Sequence, residues 1–425
     1  MSEFEPLLSS RVRRVKLSPN AAAGELAARL AAQGRDILAL NSGEPDADTP
    51  APIRQAAVAA MERGETRYTP TPGSRALRQA VSRKYRRENG LDYPPARIIA
   101  SAGGKQVLFN AFAATLDAGD EVVLPAPYWP SFPDMVLVND GQPVIVPCTE
   151  ATGFKLSAPA LEAAITPRTR WLVLNSPGNP SGAVYGADEL LALAQVLRRH
   201  PRVMVLLDEI YEHIWFTPAA PVHLLHLAPD LAPRTLLVNG ASKTYAMTGW
   251  RIGYGAGPAW LIEAMTVIQS QASSGPNAIG QAAAAAALDA PDQDFVVRSR
   301  RRYAARAAFV QTAIDAVPGL RLLPPQGAFF AFVNVSGLLG RLRPDGRPIA
   351  SDTDVVAWLL ESQGLVAVDG GAFGLSPYFR ISFAASDAVL ADAMGRIARA
   401  VAALENAPSA PATAADARAP EVAAG

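Results

Sequence analysis

Asn239-Gly-Ala-Ser-Lys-Thr-Tyr-Ala-Met-Thr-Gly-Trp-Arg-Ile-Gly-Tyr254 places a single lysine, Lys243, in a short polar turn between two apolar runs. The runs, 235–238 and 252–255, read as strands. Arg251 follows the lysine by eight residues. A lysine amine condenses with an aldehyde, and an arginine fork holds a phosphate.

Working outward, short apolar runs recur at 97–100, 121–124, 144–146, 171–174 and 203–207. They are nearly continuous in apolar residues, as in strands covered on both faces. Helix-length segments such as 105–116 and 187–199 lie between them. The alternation predicts an α/β domain with a mostly parallel mixed sheet flanked by helices. After about Asp292 the pattern changes. A long helix bearing Arg298, Arg300, Arg301, Arg302 and Arg306 comes first and reads as a solvated face with occasional partners. Strands follow at 320–323, 329–334, 366–368 and 379–383, then a closing helix from about Ser386. This grouping predicts a smaller α+β domain. The expected division is an N-terminal segment 1–45 packing with the small domain, a large domain 46–291 and a small domain 292–405. The Ala/Pro-rich stretch 406–425 cannot bury enough surface to offset chain entropy and is expected to be disordered.

Lys+Arg equals Asp+Glu at 39 each, so the net charge is zero. That excludes a general nucleic-acid or acidic-membrane binder, whose affinity rests on surplus basic charge. Cys148 is the only cysteine, which excludes an intrachain disulfide and a cysteine zinc cluster. His223 and His226 have a metal-like spacing but sit in a Pro-rich loop, and no metal is expected. The uncharged stretch 264–288 carries Ser270, Gln271, Pro276 and Asn277, so it makes a poor membrane span. The simplest expectation is a cytoplasmic protein.

Four further motifs fall at strand ends, where open α/β sheets bind ligands. Ser101-Ala-Gly-Gly-Lys-Gln106 joins a strand to a helix, and its glycines let backbone approach an anion at the helix N-terminus. Asn175-Ser-Pro-Gly-Asn-Pro-Ser-Gly182 offers the Asn179 amide. Asp208-Glu-Ile-Tyr211 closes an apolar strand with a carboxylate, which either caps a helix or pairs with a pyridinium nitrogen. Arg380, in Tyr378-Phe-Arg-Ile-Ser382, is costly in an apolar strand unless paired with a substrate carboxylate or a structural acid. Lysine, phosphate clamp and ring partner together are the handles of pyridoxal 5′-phosphate (PLP). A dinucleotide site is a poorer reading, because Gly253-Tyr-Gly-Ala-Gly257 fails the GxGxxG spacing.

Jointly these blocks, with Asn41-Ser-Gly-Glu-Pro-Asp46, Tyr68-Thr-Pro-Thr-Pro-Gly73 and Tyr128-Trp129, resemble the class I aminotransferases of PLP fold type I. The resemblance covers roughly 15–404 and is strongest to the bacterial aspartate/prephenate branch. It implies that Lys243 carries the cofactor and later shuttles a proton. Asp208 would pair with the ring nitrogen, Tyr211 and Asn179 would contact the ring oxygen, and Trp129 would stack on the ring. Gly103, Gly104, Lys105, Ser242 and Arg251 would hold the phosphate, with Tyr68 reaching it from the neighbouring subunit of a homodimer. Gly43 and Arg380 would line the substrate α-carboxylate site, alongside Trp129 and Asn179. Many relatives have a hydroxyl residue three before the lysine; here it is Gly240, which implies one phosphate hydrogen bond fewer.

The implied activity is transfer of an amino group between an L-amino acid and a 2-oxo acid. Aspartate or glutamate is favoured as substrate, because Lys105 and Asn20 would meet a distal carboxylate. Aromatic, branched or other neutral amino acids, and a PLP lyase reaction on the same fold, remain the alternatives.

Overall fold

The computed structural model describes residues 7–17 and 19–405, without the side chains of 19–21. The Asn20 side chain and the stretch 406–425 lie outside the described residues. The first strands in chain order are β1 (Leu38–Ala39), β2 (Ile98–Ser101), β3 (Glu121–Ala126) and β4 (Gln142–Pro147). Next come β5 (Thr169–Asn175), β6 (Met204–Asp208), β7 (Thr235–Gly240) and β8 (Gly253–Ala256). The last are β9 (Arg321–Leu322), β10 (Phe330–Asn334), β11 (Leu365–Val366), β12 (Val368–Asp369) and β13 (Tyr378–Ser382).

Seven strands form one sheet in the order β2-β8-β7-β6-β5-β3-β4. All its pairs are parallel except those of β8, which runs antiparallel to both β2 and β7. The continuous apolar runs resolve by parity, since successive side chains point to opposite faces. Val205 and Leu207 join one core with Leu172, Leu174 and Leu237. Met204 and Leu206 join a second core with Trp171, Val173 and Leu236. Helices cover both faces, including Gly104–Thr115 and Ala187–Arg199. The result is the α/β fold with a mostly parallel mixed sheet.

A four-stranded antiparallel sheet, β12-β13-β10-β9, has its own core of Phe329, Phe330, Phe379, Leu390 and Ile397. The N-terminal β1 pairs in parallel with β11. One expectation fails here. The single strand at 366–368 is two strands with different partners: β11 follows β1, whereas Val368 sits opposite Arg380 of β13. An apolar run carries no mark of the change of partner. The arginine-rich helix, Asp294–Asp315, has two of the partners expected on an otherwise solvated face. Arg306 is buried between Asp46 and Asp387, and Arg300 stacks 4.0 Å over Trp215. Both acids are remote in sequence, so the run of charge alone does not reveal them.

One buried charge lies beneath the main sheet. Lys84 is fully buried, and its ammonium donates to Asn89 Oδ1 (2.9 Å) and to both Glu212 oxygens. Glu212 also accepts from Asn239 and Asn89. Burial pushes the Glu212 carboxyl up, but Lys84 and His213 pull it further down, which favours the carboxylate. Glu88, Glu212 and His213 gather within 4.8 Å in the manner of a cation site, with the Lys84 ammonium beside them at 3.7 Å from Glu88. Breaking a buried pair by removing one partner leaves an uncompensated charge, at a cost of about 3 kcal/mol. Lys84→Ala is therefore expected to lower the urea midpoint of unfolding at neutral pH by an amount matching that cost, with circular dichroism as the probe.

Candidate active site

Three parallel strands end side by side: Asn175 of β5 pairs with Asp208 of β6, and Asp208 with Val238 of β7. The Asn175 amide donates to the Asp208 carbonyl (2.9 Å) and its oxygen accepts from Asn179 N–H (2.8 Å). Just past β7 the chain makes a single turn, Ala241–Thr244, that delivers Lys243. A cavity of about 510 Å³ opens over these ends, within the usual range for a small-molecule site. Asn179, Asp208, Tyr211, Ser242 and Lys243 line it from the large sheet. Arg380 of β13 and Gly43 line it from the other side.

The charges in this cavity are displaced from their ordinary states. Removal from water pulls the Lys243 ammonium down to about 8; Glu44 and Asp208 oppose this, while Arg251 and Arg380 add to it. Its Nζ donates to Gly43 O at 2.6 Å. Burial pushes the Asp208 carboxyl up to about 7, against the Ile210 N–H that donates to it at 3.2 Å. Burial pulls the Arg380 guanidinium down to about 10, with Tyr211 opposing. Arg380 donates to Asn179 Oδ1 (3.1 Å) and Asn41 O (2.5 Å), and lies over the rings of Phe330 and Phe373. Burial likewise raises the Tyr211 phenol, which packs edge-on against Phe329 and Phe330.

The turn after β2 forms the third wall. Gly103 has a φ of +89°, and a Cβ there would lie 2.4 Å from Arg251 Nη2. Arg251 itself adopts a left-handed φ of 57°, with its guanidinium donating to Thr248 O (2.8 Å) and Ala102 O (3.3 Å). A Cβ at Gly253 would lie 2.1 Å from Gly104 N, so glycine in β8 is what lets this turn pass. Lys105 opens the helix beside Gly104, and its ammonium sits 4.9 Å over the Trp129 ring. Burial and Arg251 pull that ammonium down while Asp134 holds it up.

Gly104, Lys105, Trp129 and Arg251 complete the lining. One expected residue is placed otherwise: Gly103 backs the turn instead of lining the cavity. Tyr68, expected at the neighbouring subunit's site, is 98% exposed and does not line this chain's own cavity. The Asn20 side chain lies outside the described residues. Gly240 is explained by packing, since a Cβ there would be 3.0 Å from Ile252 O and 3.1 Å from Gly253 Cα. His223 is an ion-pair partner of Glu209 (2.9 Å), and its Nδ1 accepts from Leu225 N–H. Sequence reasoning missed Asn41, Glu44 and Asn175. Asn175 was legible as a polar residue ending an apolar strand, whereas Glu44 and Asn41 lie in an irregular segment marked by the family resemblance alone.

The sequence pattern of the aminotransferase class I and II family matches residues 35–397. The chain belongs to this family. An aspartate aminotransferase of Rhizobium meliloti (strain 1021) is 48% identical over 93% of this chain and 96% of its own length. An aspartate/prephenate aminotransferase of Cereibacter sphaeroides is 48% identical over 92% and 97%. Among solved structures, the Rhizobium meliloti aspartate aminotransferase superposes with a TM-score of 0.91, at 48% identity, covering 94% of this chain and 99% of that one. The Thermus thermophilus aspartate aminotransferase, solved with maleate, gives 0.86 at 39% identity, covering 92% and 99%.

Only the unprotonated amine attacks an aldehyde, and for this aminotransferase the Lys243 amine changes state near pH 8. An aldehyde offered to Lys243 should be captured at a rate that climbs about tenfold per pH unit below that value and levels off above it. Stopped-flow absorbance measures this directly. A rate still climbing toward the ordinary lysine range would show that the cavity does not perturb Lys243.

Proposed function

We propose that this chain is a PLP-dependent aminotransferase acting on aspartate or glutamate and a 2-oxo acid. One observation carries the reading: Lys243, Asp208 and Arg380 face a single cavity, where burial frees the lysine amine and leaves the acid and the guanidinium each wanting a partner of opposite charge. The residues fit the cofactor. Asp208 is a buried carboxyl pushed up by desolvation, and a protonated ring nitrogen would restore its charge. The Gly103–Gly104 turn at a helix N-terminus, with Arg251 and Ser242 beside it, suits a phosphate. Tyr211 and Asn179 would face the ring oxygen and Trp129 the ring.

When bound, PLP supplies an electron sink for the substrate Cα. The chain's residues supply the rest. Arg380 and Asn179 would hold the α-carboxylate beside Gly43, fixing the orientation of the Cα–H bond. With a proton affinity near neutrality, Lys243 Nζ is suited to take the Cα proton and give one back. The phenyl rings around Arg380 keep water from its charge, which strengthens its hold on an anion.

The choice of a dicarboxylate rests on Lys105, whose ammonium stands at the cavity over Trp129. The names of the relatives and the maleate in the Thermus thermophilus structure support it. Prephenate, named for several relatives, belongs in the same assay as a second acceptor. We also propose a homodimer in which Tyr68, exposed on one chain, completes the phosphate site of the other. The same reading keeps 46–291 as the large domain and 292–405 as the small one, with the N-terminal segment joined to the latter through β1.

Lys243→Ala should abolish steady-state exchange between aspartate and 2-oxoglutarate in a coupled assay, and normal turnover would sink the assignment. Lys105→Ala should cut the preference for aspartate over alanine in kcat/KM by about tenfold, the effect of losing one partly solvated charged hydrogen bond. An unchanged ratio would remove Lys105 from substrate selection.

A further inference from the structure

The segment Asn41-Ser-Gly-Glu-Pro-Asp46 is irregular, yet two of its carbonyls touch the reacting machinery. Asn41 O accepts from Arg380, and Gly43 O accepts from Lys243. Its upstream end is pinned by backbone: Leu40 N–H donates to Val366 O (3.0 Å), and Leu40 O accepts from Ser382 N–H (2.8 Å). A side-chain tie follows at Glu44, which accepts from the Thr248 hydroxyl at 2.6 Å.

The downstream end is held differently. Asp46 accepts from Arg306 Nη2 at 2.9 Å and faces Arg302 at 3.7 Å. Arg306 also donates through Nε to Asp387 Oδ1 at 2.8 Å. The arginine side chain is only 7% exposed and Asp46 20%, whereas Asp387 is 86% exposed. The enclosed partner is the one that feels the charge, because water screens the other. Burial raises the Asp46 carboxyl, but Arg306 and Arg302 outweigh it and hold it below its ordinary value.

Arg306 is a costly way to join two helices. Val310 and Ile314 of its own helix already share a core with Leu390 and Ile397 of the closing helix. The guanidinium's Nη1 has no hydrogen-bond partner among the described residues. A buried cation of this kind contributes little net stability compared with an apolar side chain. Its distinctive product is a fixed Asp46, three residues from Gly43. Three residues span at most about 10 Å, so the tether is short and a shift at Asp46 reaches Gly43.

We propose that Arg306 is a positioning residue for the amino-transfer reaction, acting through Asp46 to hold Gly43 and Asn41 against Lys243 and Arg380. The inference rests on the active-site reading above. It is tested in the holoenzyme with Arg306→Ala, Arg306→Lys, Asp46→Asn and Asp387→Asn. The readouts are the calorimetric Kd for maleate as an unreactive dicarboxylate, KM and kcat for aspartate, and hydrogen exchange of the 41–46 amides. Asp46→Asn and Arg306→Ala should raise the maleate Kd and the aspartate KM about tenfold, with a smaller fall in kcat and faster exchange in the segment. Arg306→Lys should recover part of the affinity, and Asp387→Asn should stay within about twofold of the parent.

A drop in melting temperature with unchanged maleate Kd and unchanged exchange in Asp46→Asn would overturn the proposal. So would an Asp387→Asn defect equal to that of Asp46→Asn. If Arg306→Ala fails to fold, the two aspartate variants decide. If the parent enzyme neither binds maleate nor transfers from aspartate, the functional reading fails. Exchange of the 41–46 amides then still decides whether Arg306 orders the segment.

Discussion

Asn175, Asp208 and Val238 stand abreast in three parallel strands, and the site depends on that register. A slip of one residue would turn every side chain to the opposite face and take Asp208 out of the cavity. The register is held from both sides. Along β6, alternate residues fill two separate cores, so a slip would exchange Val205 and Leu207 with Met204 and Leu206. At the strand end the Asn175 amide bonds the Asp208 carbonyl, closing the row where the ladder stops. The next strand then needs only a one-turn helix to bring Lys243 over the same cavity.

Under this row lies a polar layer that ties the lysine turn to the sheet. Glu212, held by Lys84, accepts from the side chain of Asn239, and the Asn239 oxygen in turn accepts from Gly240 N–H (2.8 Å). His213 bonds the hydroxyl of Thr244 at 3.1 Å and Glu88 at 3.0 Å. The residues flanking the turn are thus fixed from below, while among the described residues Lys243 itself donates to the Gly43 carbonyl from the opposite side. An amine proposed to move a proton is well served by rigid neighbours and a single tether.

Much of this was legible in the sequence. Strand positions in the large sheet followed from apolar runs, because a strand buried on both faces has no polar alternation to disguise it. Lys243, Asp208 and Asn179 fall at the ends of such runs, so finding the strand found the residue. The failures have a common cause. Arg306, Glu44 and Asn41 gain their meaning from contacts more than two hundred residues away, with Asp46, Thr248 and Arg380 respectively. The split of 366–368 between two sheets is the same kind of information, a choice of partner that composition does not encode. Arg251 is different again: its left-handed backbone occurs together with the bond to the Thr248 carbonyl, and nothing in Trp250-Arg-Ile252 announces it.

Asn179 shows how few groups the cavity needs. Arginine has only donors, so the Asn179 atom at 3.1 Å from Arg380 Nη1 must be the amide oxygen. That fixes the orientation of the side chain, and the NH₂ group is left as a donor. The backbone N–H of the same residue is held by Asn175, which also bonds Asp208. Two asparagines therefore stand between the arginine proposed for the substrate carboxylate and the acid proposed for the cofactor ring. A ligand that draws Arg380 toward itself pulls on the same amide whose donor is proposed for the ring oxygen. The two halves of the site are joined by a continuous row of three hydrogen bonds, and that continuity is what makes them one site.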